Sequence, residues 1–202
     1  MSITTYSELK TQIADWLNRD DISDAALSDF VQIAENRIFH VLRIPPMEKY
    51  ANLTTDSQGR VTLPGDYLEA KDVLFNDVSL DRITVNDYYS RLPSAGTPVE
   101  FTRETIYLRF WPNPGAGVAG AKMVYYALPT ALSNANPTNP VFSMAPELYL
   151  YGALVASAAY LGSPVEKTQV WSESFNDAMQ RLVDHARLSE VSGSTVTIKN
   201  GY

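Results

Sequence analysis

The sequence predicts an α+β chain: terminal helices forming a helical bundle, an inserted antiparallel β domain, and an extended C-terminal arm. Three observations lead there. Apolar residues recur at helical spacing near both ends. The middle switches to short alternating runs punctuated by turn residues. The last residues alternate like a strand that has no strand-like neighbour in the sequence. The predicted boundaries are 1–46 for an N-terminal helical pair and 47–126 for the inserted β domain. A connector loop and C-terminal helical pair take 127–190, and a flexible C-terminal arm takes 191–202.

In the first helix, Thr5 and Glu8 have the spacing of a capping box, in which each side chain satisfies a free N–H of the first turn. Tyr6, Leu9, Ile13, Trp16 and Leu17 follow as its stripe. Asn18-Arg19-Asp20-Asp21 breaks the pattern, and a second helix starts near Ser23 or Asp24. Its stripe is Leu27, Phe30, Val31, Ala34, Ile38, Val41 and Leu42, and Pro45-Pro46 ends it because proline cannot continue the hydrogen-bond ladder.

In the middle, Tyr50 to Thr54 and Arg60 to Leu63 flank a hairpin-like turn at Asp56-Ser57-Gln58-Gly59. Ala70 to Phe75 and Val78 to Ile83 flank a turn at Asn76-Asp77. Thr84 caps a short helix to Leu92. A hairpin is expected around Arg103-Glu104, and Met123 to Tyr126 reads as the last strand. Short strands so spaced suggest an antiparallel sheet, a small sandwich or a barrel.

Ser133 to Pro140, rich in Asn and Pro, reads as an exposed connector. The next helix, capped by Ser143 or Ala145 with Pro146 in its first turn, is apolar nearly all round and must be buried against several elements. Ser163-Pro164 opens a final helix to about Glu190, with Trp171, Phe175, Ala178, Met179, Leu182 and Ala186 as its stripe. At about 1.5 Å per residue it is roughly 40 Å long, more than a small core requires.

Composition narrows the function classes. The net charge is −7. Residues 1–46 carry 4 basic and 7 acidic side chains, residues 47–126 carry 8 and 10, and residues 127–202 carry 4 and 6. No part is a basic module, so neither nucleic acid nor an anionic membrane is attracted by the overall field. There is no cysteine, which excludes disulfides, thiolate metal sites and cysteine nucleophiles. The N-terminal Met1-Ser2-Ile3-Thr4-Thr5 lacks a basic-then-apolar leader. Leu148 to Leu161 is too short for a membrane span of about 20 residues.

The chemical candidates are few. His40 and His185 are the two histidines. Asp184 precedes His185, but neighbouring helix positions point about 100° apart, so the pair does not face as a base and its orienter must. Asp20, Asp21 and Asp24 read as an acidic helix connector rather than a calcium loop. Gly115-Ala116-Gly117-Val118-Ala119-Gly120 matches the dinucleotide pattern, yet a strand follows it instead of a helix, and no acidic residue sits about twenty positions on. Asp66 and Glu69 are a carboxylate pair on which a cell-wall glycan hydrolase would depend. The expectation is a non-enzyme with no cofactor and no metal. Tyrosines such as Tyr88-Tyr89 and Tyr125-Tyr126 suit protein interfaces, where a ring buries area and its hydroxyl finds a partner.

Four stretches together resemble a known family. They are Tyr6 to Lys10 with Ile13 to Asp21, Phe30 to Ile38 ending in Leu42-Arg43, Leu63-Pro64-Gly65-Asp66-Tyr67-Leu68-Glu69, and Arg109-Phe110-Trp111-Pro112 with Tyr125-Tyr126. They resemble the head-to-tail adaptor (connector) proteins of tailed bacteriophages, mainly short-tailed ones. The resemblance implies a structural virion protein at the head-tail junction, assembled in the host cytoplasm, without membrane contact. It implies a closed ring of about twelve copies that docks beneath the portal and joins it to the tail tube or nozzle. DNA would pass through the lumen without specific binding. The unpaired strand-like tail suits a neighbour-binding arm, so Thr195, Val196, Thr197, Ile198, Lys199 and Tyr202 are the expected partner-binding residues. Another tail structural or completion protein is the alternative structural reading.

Overall fold

A computed structural model describes residues 3–191, with side chains described for 3–188. The chain is α+β and separates into two compact units, one made of Met1–Met47 with Pro129–Tyr202 and the other of Glu48–Leu128.

The first unit is helical. α1 (Tyr6–Leu17) opens at Thr5, whose hydroxyl accepts from the Glu8 N–H while the Glu8 carboxylate accepts from the Thr5 N–H, the reciprocal box the sequence announced. It stops at Asn18, held in the left-handed region that asparagine tolerates. Trp16 lies on its exposed side, turned outward from the expected stripe against the edge of the Tyr151 ring. α2 (Asp24–Val41) is capped by Ser23 and ends four residues before Pro45. The residue before a proline is pushed to extended backbone. Leu42 is already extended, and a single 3-10 turn at Pro45–Met47 follows. Val41, expected in the stripe, is exposed, Leu42 is buried as expected, and Ile44 beyond it is buried too.

The connector differs from expectation at its far end. Residues 134–138 are exposed, but Asn139 is buried and caps a short helix absent from the sequence reading, α4 (Pro140–Met144). α5 (Pro146–Leu161) starts at Ala145 with no side-chain cap and packs against α1, α2, α4 and α6 (Val165–Val191). An all-apolar helix needs such surroundings. Leu148, Tyr149, Ala153, Leu154 and Ser157 are fully buried, each large apolar side chain contributing roughly 1.5–3 kcal/mol. α6 turns Trp171, Phe175, Ala178, Leu182 and Ala186 inward, at the expected spacing.

The second unit holds two four-stranded sheets. One has the order β1 (Glu48–Thr54), β8 (Ala119–Ala127), β3 (Tyr67–Phe75), β4 (Val78–Ser79). The other runs β2 (Arg60–Thr62), β7 (Tyr107–Trp111), β6 (Glu100–Glu104), β5 (Asp81–Arg82). They share one apolar cluster, where Phe75 meets Phe110 edge-on with centroids 5.9 Å apart. β8 shows the pleat plainly, burying Ala121, Met123, Tyr125 and Ala127 at alternate positions.

Four expectations are corrected here. Asp56 to Gly59 is not a hairpin, since β1 and β2 lie in different sheets. It is a corner, fixed by Asp56 Oδ1 accepting from the Gln58 and Arg60 N–H groups. Gly59 has φ +72°, and a Cβ there would stand 1.9 Å from Asn113 Oδ1, so a side chain would strain the backbone and displace the Asn113 amide. Second, Val78 to Ile83 is not one strand. Asn76 and Asp77 adopt positive φ in a two-residue turn, β4 pairs with β3, and buried Leu80 carries the chain across to the other sheet. Third, β5 pairs parallel with β6, so the domain is not wholly antiparallel. Fourth, the β6–β7 turn falls at Thr105-Ile106, two residues later than expected. Thr105 takes φ 56°, and the longer ladder keeps Phe101 opposite Phe110 in the core.

Candidate assembly surfaces

The catalytic candidates fail on geometry. His40 is exposed on α2. His185 is exposed on α6 beside a shallow groove lined by Met144, Glu147 and Arg181, while its neighbour Asp184 accepts from Gln180 Nε2 at 2.9 Å. No hydrogen bond joins His185 to Asp184 among the described residues. Asp66 accepts from Lys49 Nζ at 2.6 Å and Tyr125 Oη at 3.0 Å. The Lys49 bond leads in holding its carboxyl below the usual carboxylate range. A general acid requires the opposite shift. Glu69 is exposed on β3. Asp66 therefore ties the starts of β1 and β3 to β8.

Asp21 is bound by Nε and one Nη of Arg19 and Asp24 by Lys10 at 2.5 Å, while Asp20 is an exposed connector residue. Among the described residues, no three His, Cys, Asp or Glu groups are placed to hold a metal. The glycine segment is anchored by buried Thr55, whose hydroxyl donates to the Gly115 carbonyl at 2.8 Å and accepts from the Val118 N–H at 2.9 Å. It runs into β8 and opens no helix, so it lacks the helix N-terminus that a pyrophosphate requires.

The structure does gather interface chemistry. In the β unit, α3 (Val85–Ser90), capped by Thr84, sets Tyr88 and Tyr89 edge-to-face at 5.3 Å. Beside them Arg91 lies 4.6 Å over the Trp111 ring, and the Trp111 indole N–H donates to the Leu92 carbonyl at 3.3 Å. Glu104 binds both Arg109 and the Tyr89 hydroxyl, and Arg91 donates to Glu100 at 2.9 Å. The Arg109 contact leads in holding the Glu104 carboxyl below its ordinary range. Both arginines thus carry their own counter-charge. The cleft is locally neutral and rimmed by Tyr89 and Leu92, 58% and 85% exposed. Tyr, Trp and Arg are the side chains that dominate protein–protein binding energy. In the helical unit, Tyr160, Val165 and Val170 are exposed near the α5–α6 turn.

The sequence singled out the tyrosines but not Arg91, Leu92 or Trp111 as their companions, because strand pairing brings β7 to α3 from about twenty residues away. It also passed over Glu35, an acid set among the stripe positions Val31, Ala34 and Ile38, which is a legible anomaly. The predicted tail residues Thr195, Val196, Thr197, Ile198, Lys199 and Tyr202 lie outside the described residues.

The β unit thus gathers, in one charge-balanced cleft, the aromatic and arginine side chains that protein–protein surfaces favour. Residues 4–198 match the SU10 adaptor protein family, and the chain belongs to that family of phage head-to-tail adaptors. It is therefore a structural component of a phage virion. No curated protein matches the chain. No helix among the described residues is long and apolar enough to cross a membrane.

Proposed function

We propose that this adaptor, of a short-tailed phage, forms a ring of about twelve copies beneath the portal, as heterologous contacts that close allow. It joins portal to tail tube or nozzle and surrounds the DNA path. The observation that carries this reading is the family match, which spans both units and runs into the tail. The acidic balance supports it, because phosphate contacts depend on Lys and Arg and a channel wall poor in them lets DNA slide. Thr195 to Ile198, with Lys199 and Tyr202, forms the partner-binding arm of a chain divided into a helical pair at 1–46, a β domain at 47–126, a connector and helical pair at 127–190 and the arm at 191–202, a reading that the two compact units support.

Light scattering on the purified chain, alone and then mixed with portal protein, tests the assignment. The expected result is a mass near 22.4 kDa alone that becomes a large stoichiometric complex with portal. A monomer that ignores portal refutes it. Deleting residues 191–202 is expected to leave a folded chain that no longer joins portal, and unimpaired joining sinks the role given to the tail.

A further inference from the structure

β-sheets end in edges, and an edge exposes a row of unpaired N–H and C=O groups that can template another strand. Among the described residues the two sheets present four such edges. Three are blunted by length, since β2 has three residues and β4 and β5 two each. The fourth is β1, seven residues long and free of proline. It pairs with β8 on one side only, in unbroken register from Glu48 to Leu53, and the irregularity that would bend it away falls at Thr54. No backbone–backbone bond leaves Lys49–Thr54 on the other side among the described residues. Lys49, Tyr50 and Asn52 are exposed along it.

The chain also carries a segment with the complementary need. Beyond α6 the sequence reads Ser192-Gly193-Ser194 and then Thr195-Val196-Thr197-Ile198, four consecutive β-branched residues, the side chains that best fit a pleated ladder. The family match continues through residue 198 and stops there, so this stretch belongs to the shared domain.

We propose that Thr195–Ile198 of one copy adds as a strand to the outward edge of β1 in a second copy. The proposal rests on the tail's assignment as a partner-binding arm and names what that arm binds. Strand addition takes its affinity from main-chain hydrogen bonds and its specificity from alternate side chains. Donor and acceptor are different surfaces, so each copy gives one tail and receives another. That is a heterologous contact, the kind that closes into a ring.

The absence of native cysteine allows a clean test. Full-length chains carrying Val196→Cys or Thr197→Cys, lengthened by a tag, are mixed with untagged chains carrying Tyr50→Cys or Asn52→Cys. Opposed residues on paired strands bring Cα atoms to about 4.5–5.5 Å, within disulfide reach. Oxidation is run on the concentrated chains alone and after mixing with portal protein. The expected result is a mixed-mass disulfide about tenfold more abundant than with Val78→Cys on β4, as high effective concentration dictates. Cross-linking no better than this control in both settings overturns the proposal. So does a double variant, Asn52→Cys with Val196→Cys, that closes only on itself as a monomer. The deletion of residues 191–202 separates the two claims. If deletion abolishes portal joining while no cross-link to β1 forms, only the β1 assignment falls. If deletion leaves joining intact, the tail's partner-binding role falls.

Discussion

Glu35 shows how one side chain can set a pH response. It is 3% exposed on α2, accepts from the Leu132 N–H at 2.9 Å, and faces Asn139 Nδ2 at 3.5 Å. Asn139 in turn donates to the Thr130 carbonyl and accepts from the Phe142 N–H and the Tyr149 hydroxyl. The carboxyl thus pins the connector and the α4 cap to α2. No cation faces it among the described residues, and Tyr149 from α5 is the other titratable group that does. Burial pushes the Glu35 carboxyl up to about 7, against the smaller opposing effect of the Leu132 N–H. Burial likewise raises the Tyr149 hydroxyl. The sign follows from proton counts. Between the ordinary value of 4.5 and about 7, the folded chain holds a proton that the unfolded chain releases. Stability therefore falls as pH rises through that window and is flat above it, by roughly 3 kcal/mol at most. Glu35→Gln keeps an acceptor for Leu132 and removes the titration. The difference in Tm between wild type and this variant is expected to move in the variant's favour from pH 5 to pH 8. Circular dichroism melts that give a pH-independent difference would refute the role.

At the scale of elements, α5 organises the helical unit, and its own glycine shows how tightly. A Cβ on Gly152 would stand 2.9 Å from Ala34 Cβ of α2 and 3.1 Å from the Phe175 ring of α6. The Ala34 methyl cannot rotate away, so the helices themselves must part. In an exposed helix Gly→Ala gains about 1 kcal/mol. Here overpacking, about 1–3 kcal/mol, opposes and outweighs that gain. Gly152→Ala is expected to lower the urea midpoint without changing the slope, and a raised midpoint would show that the three-helix contact is loose. Elements of this kind were readable in the sequence because their signals are local. The Thr5–Glu8 box, the Ser23 and Thr84 caps, and the stripe on α6 each lie within a few turns. The sheet partition was not readable. The turns at Asp56–Gly59 and Asn76-Asp77 look alike by composition, yet one is a corner between sheets and the other a hairpin. Nothing local tells Leu80 to cross from one sheet to the other. α4 escaped because five residues are too few for a period, and its cap, Asn139, is buried by Glu35, about a hundred positions away in sequence. The same limit applied to the surfaces. Tyr88-Tyr89 was legible as a pair, but its cleft needed β7.

At the scale of the whole molecule, the two units differ in how the chain closes them. The β unit is one uninterrupted stretch, and its first and last strands are neighbours, with Glu48 opposite Tyr126 in the β1–β8 ladder. Its ends therefore emerge side by side. Its core cluster draws on both sheets and on no residue outside Glu48–Leu128. The Lys49–Asp66–Tyr125 link that fastens the strand starts also lies within that stretch. A fragment of about 80 residues exceeds the size at which a single core becomes marginal. Residues 48–128 expressed alone should then fold, giving a strand-type far-UV spectrum, near-UV signals from the buried tyrosines, and one cooperative thermal transition. The helical unit is built from two separated stretches, and its α2–α5 contacts join residues more than a hundred positions apart. Cutting out the β unit leaves that closure to be made by a linker. With residues 47 and 129 joined by a short Gly-Ser link, the helices should still pack, because Glu35, Asn139 and Tyr149 are all retained. If the β fragment shows no near-UV signal, its core depends on the helices and the division into two units is not a division into folding domains. If it folds alone, the chain is one domain inserted in the sequence of another, and the β1 edge can be studied on a fragment that has no tail of its own to occupy it.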